Sequence, residues 1–321
     1  MEKFISGWVK QKDDPRDFRL KTFILKNDLK QDTFPTSFTL EDRIKERLDQ
    51  GTLGSCGSHS YTEAARIVGH NQGEDFFSSR LFIYYNVRKE YNQINEDTGV
   101  DNRTMFKSAA KNGLCTESLL PYEISKFTVK PSDECYKDAL NAIPEKYYLI
   151  DSTDINEMKT ALINGFPFVV GFTVFQSFYS QFENHIMPLP KRKEKVLGGH
   201  DVLCVGYDDS KQAFRMLNSW GKDWGDNGLF WMPYSFITNT TYANDFWVLE
   251  RIKFNKAEEP VIIQEQELTV DIMKIFQNKV EVNLLPKKIL IRIGLELKLP
   301  ISNLQSKKDI VSSISDKLSL V

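Results

Sequence analysis

The chain has 321 residues, of which 41% are hydrophobic and 27% are charged, close to the average of globular proteins. The 42 Lys and Arg residues nearly balance the 44 Asp and Glu residues, giving a formal net charge of −2. This balance excludes a global basic excess that would hold nucleic acid or an anionic membrane, and no apolar run approaches the roughly 18 residues of a membrane span.

Residues 1–33 are polar and irregular, and Trp8 is their one large apolar anchor. The charged stretch from Lys10 to Phe18 contains Pro15 and is typical of an extended arm rather than a core element. The first residues lack the long apolar core of a secretory signal. We therefore expect an N-terminal arm, and a location inside a cell or in a particle such as a virion is favoured over export by an unusual route.

Residues 34–254 are predicted to form the body of the protein. Helices are indicated after Cys56 and around residues 104–113. From residue 147 onward, short β-branched or aromatic runs indicate strands. A helical half followed by a strand-rich half predicts an α+β fold with two lobes and a cleft between them.

Residues 255–321 differ in composition from the body. Their first part resembles a linker, and apolar residues recur three and four positions apart in 270–276 and 309–318. This pattern predicts a linker followed by a small helical C-terminal extension. Its role is open, and a packing or docking element with a possible partner is favoured over a second catalytic unit.

Cys56 lies where a glycine-rich loop runs into a predicted helix. A thiol in the first turn of a helix faces free N–H groups and the positive end of the helix dipole, both of which favour the nucleophilic thiolate. Such a thiol needs a base. His200 follows two glycines at the start of a predicted strand, so that its side chain can face a cleft. His59, three residues after Cys56, is expected to pack under the helix instead.

Three further side chains are candidates for the same site. Asn218 ends another predicted strand, and its side-chain oxygen can accept a hydrogen bond from an imidazole N–H and fix the ring's orientation. Trp220 would shield that bond from water. Gln50 precedes Cys56 by six residues, and its amide could form an oxyanion hole with the Cys56 N–H or simply hold its own loop.

Three stretches around these residues resemble the motifs of papain-like (C1 family) cysteine peptidases. They are Asp49-Gln-Gly-Thr-Leu-Gly-Ser-Cys-Gly-Ser-His-Ser, Gly199-His-Asp-Val-Leu-Cys-Val-Gly-Tyr and Asn218-Ser-Trp-Gly-Lys-Asp-Trp-Gly-Asp-Asn-Gly. His200 lies 144 residues after Cys56, within the family's spacing of about 130–150, and Asn218 lies 162 residues after it. The resemblance extends over residues 35–254. It is specific because order, spacing and flanking motifs agree.

The resemblance is closer to the disulfide-poor bacterial, archaeal and viral-type branch than to lysosomal cathepsins. Leu53 stands where lysosomal members usually have a disulfide cysteine, and Gly57 where they have a Trp of the cleft wall. Other stretches resemble the former branch: Gly7-Trp8, Asp14-Pro-Arg-Asp-Phe, Asp97-Thr-Gly, and Gly113-Leu-Cys-Thr-Glu with Pro121-Tyr. The departure at Gly57 leaves the reacting groups in place but puts part of the cleft wall in doubt.

The resemblance implies a papain-like two-lobed fold, with the nucleophile helix in one lobe and a β-barrel-like lobe carrying His and Asn. It implies a thiol protease in which Cys56 is the nucleophile and His200 the general base and acid. Asn218 would orient His200, Gln50 would contribute to the oxyanion hole, and Trp220 would support the site.

The implied activity is that of an endopeptidase acting on proteins or peptides through a thioester acyl-enzyme. Residues 1–33 would then be a short prosegment-like arm that runs through the cleft and blocks it, so the protein would be a zymogen. Two alternatives are left open. One is an exopeptidase or isopeptidase of the same fold, and the other is a non-catalytic binding protein that retains the fold.

No cofactor or metal ion is expected, because no Cys/His cluster has zinc-ligand spacing. Cys204 lies in an apolar strand pattern and is predicted to be a core residue. A bridge between Cys115 and Cys135 is open, because the segment between them could fold back and the sequence does not decide; we expect free thiols or a labile pair.

Overall fold

The computed structural model describes residues 7–11, 14–29, 31, 33–180, 182–255, 287–296, 299 and 306–318. Residue contacts divide the chain into two compact units, Met1–Ala257 and Glu258–Val321. Each unit is described by itself.

Seven helices lie in the described part of the first unit. They are α1 (Leu20–Lys26), α2 (Cys56–Asn71), α3 (Arg80–Glu90), α4 (Asn102–Asn112), α5 (Asp133–Ala139), α6 (Ile155–Ile163) and α7 (Tyr234–Ile237). Short 3-10 turns occupy Glu41–Arg43, Ile124–Lys126, Gln176–Tyr179 and Glu183–His185.

Four of these helices begin at a side chain that caps free backbone N–H groups. An Asp or Ser oxygen accepts a hydrogen bond from the N–H three residues later at each of Ser79, Asp101, Ser132 and Asp154. Gly113 stops α4 with a φ of 77°, a conformation that costs glycine little. By contrast, α2 begins without a side-chain cap at Ser55, so its first N–H groups keep no such partner.

In the described part of the first unit, an antiparallel sheet of seven strands combines one short strand near the N-terminus with six strands from residue 142 onward. The strands are β1 (Ser37–Thr39), β2 (Ala142–Leu149), β3 (Phe168–Phe175), β4 (Val196–Asp208), β5 (Ala213–Leu217), β6 (Leu229–Pro233) and β7 (Ala243–Phe254). Their order is β2-β7-β3-β4-β5-β6, and β1 pairs with β4. The short strand β1 thus pairs with β4, the longest of the described strands.

The core lies where the sheet meets the long helix α2. Strand β3 is almost continuously buried, and α2 contacts β3, β4 and β7. Register pairs Phe172 with His200, which places the start of β4 in the middle of the sheet. The structure therefore confirms the predicted α+β fold, with a helical part and a β part packed around α2.

The N-terminal arm makes ordered contacts with the body. Leu20 and Ile24 of α1 are buried in the main hydrophobic core, and the Phe23 ring stacks on Tyr148 at 4.9 Å. The Leu149 N–H donates to the Phe18 carbonyl oxygen at 2.8 Å. The polar arm thus contains a short amphipathic helix, α1, that packs on the body.

The described part of the second unit consists of helices α8 (Lys287–Glu296) and α9 (Lys307–Leu318). They pack through a small apolar cluster of Leu290, Ile293, Ile310 and Ile314. The helical pattern predicted at 309–318 falls within α9, whereas residues 270–276 lie outside the described residues.

Cys56, Cys115, Cys135 and Cys204 are all free, buried thiols. Cys204 lies within β4 in the main core, and Cys115 and Cys135 share a small separate cluster. Among the residues that the structure describes, no helix has the length and apolar character needed to cross a membrane.

Candidate active site

Cys56 is the first residue of α2, at the N-terminal end of the buried central helix. Its Sγ accepts a hydrogen bond from the Asp201 backbone N–H at 3.4 Å, which ties it to the start of β4. The loop before it is held by the Asp97 carboxylate, which accepts the Gly54 N–H at 3.0 Å. The glycine-rich loop and the helix therefore place the thiol against the strand that carries His200.

In this arrangement the thiol favours its neutral form. Burial raises the pKa of Cys56 well above its usual value, and the nearby Asp201 carboxyl raises it further. The N–H groups of Asp201, Gly57 and Cys56 itself act in the opposite direction. The helix N-terminus is therefore ready to stabilise a thiolate, but burial opposes ionisation.

His200 is the fifth residue of β4 and lies beside Asn218, which directly follows β5. The His200 Nε2 lies 2.8 Å from Asn218 Oδ1, and this oxygen also accepts the Ser219 backbone N–H at 2.8 Å. Because Asn218 Oδ1 accepts a hydrogen bond from the Ser219 N–H, the orientation of the Asn218 amide is fixed. The His200 Nε2 is therefore the donor in its bond to this oxygen. The other ring nitrogen, Nδ1, has no hydrogen-bond partner within the described ranges.

Aromatic rings enclose the imidazole. The Trp220 ring lies 5.2 Å from it, centroid to centroid, and Phe172 and Phe178 lie at 5.6 and 6.3 Å. Burial lowers the pKa of His200 to about 4, although the hydrogen bond to Asn218 acts in the opposite direction. Trp220, which the sequence predicts to shield the bond between His200 and Asn218, packs against the His200 ring.

Gln50 is fully buried and is held at both ends of its amide. Its Nε2 donates to the Leu53 carbonyl oxygen at 2.8 Å, and its Oε1 accepts from the Ser219 hydroxyl at 2.6 Å. The Gln50 N–H also donates to the Ser219 carbonyl oxygen at 2.9 Å. A side-chain amide has two N–H groups, so one is left besides the bond to Leu53. The structure thus joins the Gln50 loop to the Asn218 motif.

The space beside Gly57 is filled by other side chains. A β-carbon at position 57 would come within 2.7 Å of Val100 Cγ2 and 3.0 Å of Asp201 Oδ2. A Trp at this position would require both residues to move. Val100 and Asp201 therefore fill the part of the cleft wall where lysosomal members have a Trp.

The N-terminal arm covers the thiol. The Gly7 N–H donates to the Gly199 carbonyl oxygen at 3.1 Å, and its own carbonyl oxygen accepts the Val100 N–H at 2.7 Å. The Val9 N–H donates in turn to the Val100 carbonyl oxygen at 3.0 Å, so the arm pairs with residue 100 as a parallel bridge. The arm thus passes between the helical part and the β part directly at Cys56.

Trp8 fills a pocket made by two glycines of the sheet. A β-carbon on Gly171 would be 2.3 Å from the Trp8 ring, and one on Gly199 would be 2.8 Å from the ring and 2.4 Å from the Trp8 carbonyl oxygen. Its indole N–H donates to Asp245 Oδ2 at 3.3 Å. Only glycine at these two positions leaves room for the indole.

Several residues that contact the site were not predicted from the sequence. The Tyr122 hydroxyl donates to the Gln50 carbonyl oxygen at 2.9 Å and lies 2.7 Å from Ser55 Oγ. Ser219, Asp201 and Asp97 contribute the contacts described above. All four lie inside motifs that carry the resemblance, so the signal was present, but nothing in the motifs shows which neighbours touch.

The remaining histidine near the nucleophile is buried and neutral. His59 Nδ1 lies 2.9 Å from the Ser55 carbonyl oxygen, and burial lowers its pKa to about 3. It packs beside Tyr122, with ring centroids 4.7 Å apart. Across the described ranges, no group of His, Cys, Asp and Glu side chains has the arrangement of a metal site.

Comparison with known proteins identifies the family. The model of the papain family cysteine protease matches residues 34–245. A peptidase C1-like protein of Acanthamoeba polyphaga mimivirus, described as uncharacterized, is 40% identical over 271 residues, covering 77% of this chain and 86% of that protein. Cathepsin B-like CP3 of Giardia intestinalis is 26% identical over 207 residues, covering 61% of this chain and 68% of that protein.

Solved structures agree in fold. Xylellain, a cysteine protease from Xylella fastidiosa, superposes with a TM-score of 0.70 at 36% identity and covers 78% of this chain and 97% of its own. Procathepsin B S9 from Trypanosoma congolense has a TM-score of 0.58 at 17% identity, with coverage of 72% and 80%, and supports the fold alone. The viral and bacterial relatives confirm the predicted branch. The chain belongs to the papain family of cysteine proteases.

Proposed function

We propose that the protein is a cysteine endopeptidase in which Cys56, His200, Asn218 and Gln50 carry out the reaction. One observation carries the assignment: His200 Nε2 is held by Asn218 at 2.8 Å while Nδ1 has no partner in the part of the chain that the structure describes. A base that is oriented through one nitrogen keeps the other for proton transfer.

The reaction follows from these positions. The Cys56 proton passes to His200, and the sulfur attacks the scissile carbonyl carbon. The Cys56 N–H and the second N–H of the Gln50 amide stabilise the oxyanion. His200 then gives its proton to the leaving nitrogen as the C–N bond breaks. Finally His200 takes a proton from water, whose oxygen attacks the thioester carbon and releases the acid and the thiol.

We propose further that residues 1–33 act as a prosegment-like arm that blocks the cleft. The support is the position of the arm over Cys56 and of Trp8 in the glycine-lined pocket. The Gly7 carbonyl oxygen is bonded to the Val100 N–H and not to the Gln50 side chain or the Cys56 N–H. The arm therefore lies beside the nucleophile without offering it an activated carbonyl, which is the property of a blocker.

The substrates would be proteins or peptides, and residues 255–321 would dock a partner. Endopeptidase action is tested by sequencing the products of a long peptide. Fragments cut at internal bonds support it. Removal of single residues or dipeptides from one end would instead assign an exopeptidase.

The direct test combines intact mass and activity for the wild type and Cys56→Ala. We expect the wild type to lose an N-terminal piece on incubation, to hydrolyse peptides and to be labelled at Cys56 by a peptide-like epoxide. Cys56→Ala should keep its mass and show no hydrolysis. Hydrolysis by Cys56→Ala, or no labelling of the arm-free wild type, would overturn the assignment.

A further inference from the structure

Asn218 and residues of the nucleophile helix α2 line a small cavity that His200 does not line. Its volume is about 10 Å³, which accommodates one water molecule. It is lined by Leu48, His59, Ser60, Glu63, Leu203, Leu217, Asn218 and Ser219. The cavity thus joins the middle of the nucleophile helix to the motif that orients the histidine.

Two of the lining side chains have polar atoms that lack partners. Asn218 Nδ2 is buried and has no hydrogen-bond partner, and the same holds for both carboxyl oxygens of Glu63, whose residue is 2% exposed. Arg66 Nη1 is 3.5 Å from Glu63 Oε1, an ion-pair contact that is not a hydrogen bond. Buried polar atoms without partners are costly, and a donor and an acceptor on the same cavity can be satisfied by one bridging water.

We propose that Glu63 is a positioning residue for Asn218, acting through one water molecule bound in this cavity. The inference rests on the proposed function, in which Asn218 orients His200. The water accepts a hydrogen bond from Asn218 Nδ2 and donates to the Glu63 carboxyl group. This arrangement keeps the amide nitrogen turned toward the cavity and the amide oxygen turned toward His200.

The bridge adds to a contact that already restrains the amide. Ser219 N–H fixes Asn218 Oδ1 from one side, at 2.8 Å, but leaves both Nδ2 protons without an acceptor. If Nδ2 had no acceptor in the cavity, rotation of the Asn218 amide toward another polar group would cost less free energy. An amide that turns would present a donor instead of an acceptor to His200 Nε2 and would disfavour the imidazolium.

Several charged groups face Glu63 and set its ionisation. Burial raises its pKa to about 7, Arg66 and Arg80 act in the opposite direction, and Glu46 raises it. His59, which shares the cavity, stays neutral because burial lowers its pKa. Either form of the carboxyl group has an oxygen that accepts a hydrogen bond from the water, so the bridge does not depend on complete ionisation.

The test compares Glu63→Leu with Glu63→Gln in the full chain after its own processing. Leucine removes the acceptor and keeps a similar volume, whereas glutamine retains an amide oxygen for the water. We expect Glu63→Leu to lower kcat roughly fivefold to tenfold, the worth of about one hydrogen bond, with KM within about twofold. Glu63→Gln should stay within about twofold of the wild type. Glu46→Gln is the control, because it removes a carboxylate that pairs with the same Arg66 from outside the cavity.

Two further readouts separate positioning from a loss of structure. The Tm of Glu63→Leu should stay within a few degrees of the wild type, because removing a buried carboxyl group offsets the loss of the bridging water. The acid limb of its kcat/KM profile should move to lower pH, because a less well oriented Asn218 stabilises the imidazolium less and the pKa of His200 falls further. An unchanged kcat in Glu63→Leu, or a Glu63→Gln as slow as Glu63→Leu, would overturn the proposal.

A crystal structure of full-length Cys56→Ala at about 1.5 Å resolution tests the water without any activity. Density for a water within hydrogen-bond distance of both Glu63 and Asn218 supports the proposal even if the proposed function fails. A cavity without that water, or an Asn218 amide turned away from it, would refute the proposal even if the peptidase is active.

Discussion

Gly7 lies against Cys56 so closely that a β-carbon at position 7 would be 2.3 Å from the Cys56 Sγ. The same β-carbon would be 2.9 Å from the Gly54 carbonyl oxygen, which belongs to backbone and has little freedom to move. Only glycine at position 7 therefore lets the arm pass this close to the Cys56 thiol.

Gly7→Ala should activate the intact chain. The methyl group displaces the arm from the thiol, so we expect peptidase activity of the uncleaved protein to rise at least roughly tenfold, equivalent to about 1.4 kcal/mol of lost arm binding. Peptide hydrolysis in the first minutes, with intact mass measured in parallel, provides the readout. Val9→Ala is the matched control, because that side chain of the same arm is 51% exposed. Equal activity of Gly7→Ala and wild type would argue against the blocking role.

Removing the Trp8 side chain should make the Cys56 thiol reactive. Burial raises the pKa of the covered thiol, so little thiolate exists at pH 7. A displaced arm exposes the thiol at a helix N-terminus, where the pKa falls and the thiolate fraction rises. We expect Trp8→Ala to be alkylated by iodoacetamide several-fold faster at pH 7, measured by mass spectrometry of the Cys56 peptide. Cys204, buried in β4, serves as the internal reference. Equal rates in both proteins would show that the arm does not control the thiol.

Gln50→Ala should lower kcat roughly 100-fold, the usual cost of removing one oxyanion donor. The matched variant is Ser219→Ala, which removes the hydroxyl that holds Gln50 Oε1 at 2.6 Å but leaves the amide in place. We expect a smaller loss there, about fivefold, the worth of one hydrogen bond. Both variants need a KM and a Tm beside kcat. A Ser219→Ala loss as large as that of Gln50→Ala would indicate that the Gln50 loop, and not its amide, is what matters.

The fold could be predicted from the sequence because it depends on local patterns, and the candidate reacting groups lie in those same patterns. The glycines before Cys56 predict the helix that begins there, and the apolar run after His200 predicts β4, although this strand already begins at Val196. The contacts between distant segments could not be predicted in the same way. Asp245 beneath Trp8 and Glu63 behind Asn218 become neighbours only through the register of the sheet and the packing of α2.

The packing of the N-terminal arm could not be predicted from the sequence either. Its polar composition indicated an extended segment, but Leu20 and Ile24 are four residues apart on one face of α1 and are buried. One short apolar face in a charged stretch is a weak signal, because its partner surface at Tyr148 and Phe166 comes from more than a hundred residues away.

Stability should depend on pH through Glu157, which accepts the Lys21 N–H of α1 at 3.1 Å. Burial raises the pKa of its carboxyl group from 4.5 to about 7. The folded state therefore binds the proton more tightly than the unfolded state, and stability is lost as pH rises from about 4.5 to about 7.

Glu157→Gln removes this titration and keeps an oxygen for the Lys21 N–H. We expect the variant to match the wild type near pH 4.5 and to exceed it at pH 8 by on the order of 2 kcal/mol. Urea unfolding at both pH values, in the Cys56→Ala background to prevent self-cleavage, gives the comparison. The interpretation fails if the gap between the two proteins does not widen with pH.

Helix α1 should contribute to the stability of the body as well as connect the blocking residues to it. Ile24 is 7% exposed within the main core, whereas the next residue, Leu25, is 63% exposed. Ile24→Ala should therefore lower the free energy of unfolding by about 2 kcal/mol, and Leu25→Ala by no more than about 0.5 kcal/mol. Urea unfolding of both variants in the Cys56→Ala background measures the difference. A cost for Ile24→Ala implies that a chain cut after Lys26 loses stability, whereas one cut between Trp8 and Asp17 keeps its core. If the two alanines cost the same, α1 belongs functionally to the removable arm, and cleavage anywhere before residue 34 would leave the body equally stable.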